Sequence, residues 1–243
     1  MTQPTNRLLP VFAILAEALR LHWQHVLLLF AITAVYAPPL IFGLTPAMLE
    51  LAKIPPDRVE EIDAALRGTF LASVVAVIIL SAAIFVFWVR LTLIGPRAAL
   101  TGDAVRWPVR ILWTMLLFAI AGLGGVFALL PLGVFTQIFA TLAISFLFAL
   151  LSRRLVEASM DIPKGQRRTS VTMEDHFRFT ALLAAASFML LMLQTLVSGG
   201  LAVLGATLTA KLAAGLFSVL AITAMASLHA IVYRLRTLPP TPA

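Results

Sequence analysis

Six apolar stretches run between Trp23 and Tyr233, each about 17 to 25 residues long and none with a charge near its middle. A hydrocarbon core roughly 30 Å thick needs about 20 apolar residues of helix to cross it. Only helices or closed barrels satisfy their own backbone hydrogen bonds in that setting. The pattern predicts an all-α, polytopic membrane protein with one membrane domain over 1–233. Its spans fall at about 25–43, 69–93, 111–130, 134–152, 179–204 and 211–233. Spans three and four meet at Pro131-Leu132-Gly133, and spans five and six around Gly205-Ala206-Thr207. Links this short force antiparallel neighbours, so the six transmembrane helices are expected to form three hairpins.

The polar gaps have their own pattern. Residues 8–22 are too short and too interrupted to cross; Ala13, Glu17, Arg20 and Gln24 form one stripe, with Phe12, Leu15 and Leu19 elsewhere around the helix. Such a helix lies in the headgroup layer, with Trp23, His22 and His25 marking the interface. Further cytoplasmic interfacial helices are expected within 95–110, opened by Pro96, and from Asp175 onward. The outer loop, 44–68, carries a helix start at Thr45-Pro46 and a capping box of Asp57 with Glu60. Pro38-Pro39 should bend or end the first span. The tail 234–243 is Pro-rich and reads as disordered.

Composition agrees with this pattern. Of 243 residues 61% are apolar and 12% charged, with a mean hydropathy of +1.01, against about 25% charged in soluble domains. The net charge of +7 does not indicate nucleic acid, because no basic helix or aromatic-studded basic strand gathers it. Instead the basic residues alternate from gap to gap: 14 Lys and Arg flank the side that holds both termini, and 4 flank the other. By the positive-inside rule both termini are cytoplasmic and the acidic loop is outside, in a bacterial inner (plasma) membrane. Glu17 and Arg20 interrupt the early apolar run, so the first span reads as retained rather than as a cleaved leader. The absence of Cys excludes disulfides and thiolate metal sites.

A unit of interfacial helix plus hairpin recurs along the chain. Leu28-Leu29-Phe30-Ala31-Ile32 reappears as Leu116-Leu117-Phe118-Ala119-Ile120, and a Pro-Leu pair follows each, at 39–40 and 131–132. The segments EALRLHWQHVLLLFAITAVYAPPL and VRLTLIGPRAALTGDAVRWPVRILW resemble the YciC-like group of bacterial six-helix inner-membrane proteins. That group is itself similar to the membrane domain of some glycerophosphodiester phosphodiesterases. The resemblance covers about a third of the chain and implies an inner-membrane protein. It does not carry over the phosphodiesterase activity, whose soluble barrel this chain lacks.

Ionisable residues inside a membrane point to function, and this chain offers few. Lys211 sits at the outer mouth of span six, and His229 near its inner end, either an inter-helix donor or a proton relay. Gln137, Thr141 and Ser145 form a stripe on span four, and Ser187, Gln194 and Ser198 one on span five. They make either a polar inter-helix groove for a small or lipid-like ligand, or hydrogen-bond glue between packed helices. Ala121, Gly122 and Gly125 in span three, with Gly199 and Gly200 in span five, are small-residue packing faces; broken helices of this kind also occur in transporters. Arg153, Arg154, Lys164, Arg167 and Arg168 are candidate anionic-lipid contacts that double as topology determinants.

No hydrolase, nucleotide-binding or zinc-protease motif is present. Glu174, Asp175 and His176 suit a helix start better than a metal site. The expectation is therefore a non-catalytic accessory or envelope-maintenance component with no cofactor and no metal. Its partners are membrane lipids and another membrane protein or a second copy of itself, and nucleic acid is not among them. The alternative is a carrier or flippase for a small apolar or lipidic solute.

Overall fold

The computed structural model describes residues 9–44, 46–47, 50, 63–101, 106–122, 134–160, 173–203 and 208–237. These residues form helices α1 (Leu9–Gln24), α2 (Val26–Pro38), α3 (Ala64–Thr101), α4 (Trp107–Gly122), α5 (Val134–Met160), α6 (Met173–Val203) and α7 (Leu208–Thr237), with a π-helical segment at Pro39–Leu44 after α2. No strand occurs among the described residues. Five stretches are long and apolar enough to cross a membrane: Val26–Leu44, Ala64–Ala99, Ile138–Met160, His176–Gln194 and Lys211–Arg236. The third predicted span is represented by the shorter apolar helix Trp107–Ala121. The rest of it, with the hairpin turn at 131–133, lies outside the described residues. The described residues are thus all-helical and compatible with an integral, multi-pass membrane protein.

Local chemistry explains where the helices start and break. Asp63 caps α3: its side chain accepts the Ala65 N–H at 3.2 Å and its carbonyl accepts that of Arg67 at 3.0 Å, which satisfies donors a helix start otherwise leaves orphaned. The proposed caps Asp57 and Glu60 lie outside the described residues. At Pro38-Pro39 two N–H donors are missing, and the chain widens there into the π segment; wider i→i+5 turns are a known accommodation of a disturbed ladder. Gly95 has φ +81° and ψ 171°, a region essentially restricted to glycine. Helix resumes at Pro96 and runs to Thr101. Arg90, nearly buried, braces that break by donating to the Ala98 carbonyl at 3.2 Å, with its guanidinium 5.8 Å from the Trp107 ring centre.

Helix α7 is the centre of the molecule. In its most apolar window 72% of the residues are buried inside the protein, against 17% to 33% in the other four long apolar stretches. Val219, Ala226, Ser227, His229, Ala230 and Val232 are fully buried. Helix α3 packs beside it through Phe85, Trp88 and Val89. Helix α2 approaches at Ala37, whose Cβ would lie only 3.2 Å from a Cβ placed on Gly215. A T-shaped relay of Phe85, Phe118 and Phe148, at 5.4 and 5.3 Å between ring centres, ties α3, α4 and α5. Edge-to-face pairs of this kind add about 0.5–1.5 kcal/mol beyond their burial. The outward faces are apolar too: Leu27, Phe42, Leu71, Phe135 and Phe177 are all exposed, on a scale that marks contact with lipid or a partner rather than water.

Helix α1 is not a bare surface helix. Ile14 and Ala18 are buried against Leu183 of α6 and Leu228, Ile231 and Val232 of α7, and Glu17 pairs with Arg234. The face that packs is Ile14, Ala18 and His22, which is neither the polar stripe nor the face of the exposed Leu15 and Leu19.

Gly95→Ala is expected to destabilise the protein by about 1–2 kcal/mol, since an alanine at that φ pays the left-handed steric cost. Thermal unfolding in detergent checks this, and an unchanged midpoint would contradict it.

Candidate functional site

Three helices meet at a polar junction. The last turn of α1 presents His22, and His25 follows it just before α2; their Nδ1–H groups donate to the carbonyls of Ala18 at 2.6 Å and Leu21 at 2.9 Å. Since a carbonyl only accepts, Nδ1 is the protonated nitrogen in both rings. The bond to Leu21 satisfies one of the carbonyls that a helix C-terminus leaves open. His22 Nε2 then faces Thr223 Oγ1 of α7 at 3.0 Å. In the neutral ring Nε2 accepts the threonine hydroxyl, which turns away from its own helix carbonyl at Val219, 2.8 Å away.

Both imidazoles lie against Trp88 of α3, at 5.2 and 6.2 Å between ring centres. The buried Trp88 indole donates in turn to Ser227 Oγ at 2.8 Å. The junction thus locks α1 and α3 onto α7 with side-chain bonds worth about 0.5–1.5 kcal/mol each. Burial, opposed by the Ala18 bond and aided by the charge of His25, lowers the pKa of His22 from the usual 6.5.

The end of the bundle where α3, α4, α5, α6 and α7 carry arginines holds a buried polar layer. Arg90, Arg110, Glu157, Arg236 and His229 are all less than a tenth exposed. Arg153 Nε donates to Glu157 at 2.7 Å. Arg236 donates to the His176 carbonyl at 3.3 Å and to Thr180 Oγ1 at 3.4 Å, with its guanidinium 5.4 Å from the Phe179 ring centre. Its Nε has no hydrogen-bond partner, and no carboxylate pairs with it among the described residues. Neither ring nitrogen of His229 has a hydrogen-bond partner; its ring sits edge-on to Phe85 at 6.0 Å.

A groove of about 610 Å³ opens between α1, α6 and α7. Leu15 and Leu19 form one rim and Met189 another, with Ala186, Ala221 and Ala224 on the floor. It runs from Leu182 to Leu193 along α6 and from Leu228 to Phe217 along α7. Eleven residues on each helix at 1.5 Å per residue give a length of about 16 Å, roughly half of a 30 Å hydrocarbon core. Its lining is apolar apart from His22.

The residues singled out from the sequence are distributed differently. Gln194 bonds across to Ser218 of α7 at 3.2 Å, an inter-helix tie of the glue type. Ser145 is buried and donates back to the Thr141 carbonyl at 2.6 Å, and Ser187 is buried in α6. Gln137, Ser198, Gly199 and Gly200 lie within α5 and α6. Ala121 is buried and Gly122 ends α4, while Gly125 lies outside the described residues, as do Lys164, Arg167 and Arg168. Arg153 is engaged by Glu157, and Arg154 is exposed. Sequence reasoning missed the groove and the junction. The signal was present in Ile14, Ala18 and His22 at i, i+4 and i+8, and in the alanines of α6 and α7. Among the described residues no three His, Asp or Glu side chains converge to hold a metal ion.

No protein-family model matches this chain, and no curated protein or solved structure matches it either.

The lowered pKa of His22 fixes a pH dependence. Folding favours the neutral ring, so its contribution is full above about pH 6.5 and is lost as pH falls toward the lower folded value. The melting difference between wild type and His22→Ala in detergent should therefore be largest at pH 7.5–8 and shrink toward pH 5. A difference that grows on acidification would contradict the assignment.

Proposed function

We propose that this chain is a non-catalytic component of a bacterial inner membrane, an accessory or envelope-maintenance protein that contacts lipid or another membrane protein. The observation that carries the reading is the pairing of long apolar helices with a 14-to-4 bias of Lys and Arg toward one set of connections. That bias orients both termini to the cytoplasm. The sequence lacks the motifs of soluble-type catalysis, and the buried polar groups of the described residues tie helices together, as at Trp88–Ser227 and Gln194–Ser218. Its partners on this reading are membrane lipids and one membrane protein, either another chain or a second copy.

A carrier or flippase is the second reading, and the groove is what favours it. A solute path has to traverse both leaflets, however, whereas the groove covers about half of the core thickness by the helical rise. The accessory reading therefore fits better.

Two measurements test it. Reporters fused after Ala243 and inserted near Pro56 should give cytoplasmic and external signals respectively; the reverse would overturn the orientation. Gentle purification from native membranes followed by mass spectrometry should recover a stoichiometric protein partner; a single retained lipid with no partner would favour the carrier. Transport of an apolar solute by the chain alone in vesicles would overturn the accessory reading.

A further inference from the structure

We infer that Arg153 of α5 and Arg236 of α7 together hold one phosphate group, at the arginine-rich end of the bundle where α5, α6 and α7 meet. The inference rests on the membrane reading above, which sets that end at the headgroup layer, and gives it a ligand class and a site. The phosphate is carried either by a lipid headgroup or by a soluble ion.

The register of three helices brings the two arginines together. Ala149 of α5, Leu183 of α6 and Val232 of α7 belong to one buried cluster. Gln194 meets Ser218, and Thr180 meets Arg236, so α6 runs antiparallel to α7. One turn from the cluster toward the arginine-rich end, the same face is reached four residues on in α5 and α7, and three or four back in α6. Those positions are Arg153, Arg236, Thr180 and Phe179. The side chains agree with this register. Arg236 donates to Thr180 and lies over Phe179, and Arg153 is within electrostatic reach of it.

Charge at this layer is unbalanced. Arg236 is 6% exposed, and both of its hydrogen bonds leave from Nη2 for uncharged oxygens. Its Nε is buried without a partner. Thr180 supplies no charge, and its hydroxyl proton is committed to the His176 carbonyl at 2.9 Å. Glu157 accepts from Arg153 Nε at 2.7 Å, so its carboxylate is spent on the neighbouring arginine. A buried cation without a counter-ion is costly, and an anion between the two guanidinium groups removes that cost.

Access and geometry select the phosphate. The Arg153 side chain is 38% exposed and bonds Glu157 through Nε alone, which leaves its Nη groups to donate. Nη1 of Arg236 takes part in neither of that residue's bonds. Two guanidinium forks from different helices suit an oxyanion with three or more oxygens, whereas one fork already fills a carboxylate. Arg178 has no part in the site, since it pairs with Glu174 at an exposed position.

The test titrates the full chain, in phosphate-free maltoside micelles, with inorganic phosphate at constant ionic strength. A second arm uses dihexanoyl phosphatidic acid, and the heats of empty micelles are subtracted in both. Wild type should show one saturable site per chain. Phosphatidic acid that binds tighter by about tenfold or more assigns the site to a lipid headgroup, and a smaller difference assigns it to the soluble ion. Arg153→Gln should weaken the tighter probe about tenfold. Glu157→Gln, which removes the competing carboxylate, should strengthen it, and Arg178→Gln should leave it unchanged.

Silence of both probes toward wild type would overturn the site. So would an unmoved affinity in Arg153→Gln, a weaker one in a Glu157→Gln protein that still melts cooperatively, or a loss as large in Arg178→Gln, which would mark diffuse surface charge. None of these outcomes touches the membrane reading. That reading fails on a different observation, recovery of folded, monodisperse protein without any amphiphile.

Discussion

A helix surrounded by other helices has no solvent face to rely on, and α7 is that helix here. Once the surrounding medium is as apolar as the side chains, burying leucine against leucine gives little discrimination between one arrangement and another. Close packing and inter-helix polar contacts must then set the geometry. The structure supplies both. Gly215 lets Ala37 come near, the Phe85–Phe118–Phe148 relay gives shape to the far side, and Ser218, Thr223 and Ser227 of α7 meet Gln194, His22 and Trp88 from three different helices. These hydroxyls are spaced at i, i+5 and i+9, so successive turns of one helix each receive a different neighbour.

The same arrangement explains how much could be read from the chain. The long apolar runs and the alternation of arginines were legible, because the bilayer imposes thickness and charge asymmetry directly on sequence. Which face of each helix packs inward was not legible. Helices that are apolar all round carry no stripe to show it, and the polar residues that do mark a face are ambiguous about their partner. Gln194 was placed on the correct helix by its spacing, but its acceptor, Ser218, lies on α7 rather than on α5. The predicted outer loop, 44–68, takes in Asp63, which in the fold caps α3. Likewise, His22 and Trp23 looked like an interface pair. In the fold they diverge: Trp23 is 81% exposed, while His22 turns inward to Thr223.

Charge is concentrated where the helices α3, α4, α5, α6 and α7 bring their basic residues together. Several of these arginines are buried, and they are braced by carbonyls, rings and Glu157 rather than solvated. A protein that used its arginines for topology alone would leave them in water. Burying them commits the arginine-rich end to a fixed polar architecture.

Because the chain contains no Cys, the packing of α2 on α7 can be tested directly in native membranes. Ala37 and Gly215 replaced together by Cys sit at a Cβ separation of about 3.2 Å, just below the 3.5–4.5 Å at which disulfides form. Mild oxidation of membranes is predicted to join the two positions within one chain, so that fragments cleaved between them stay linked until reduced. If no such link formed, or if it formed only between separate chains, α7 would not be the core on which the other helices assemble.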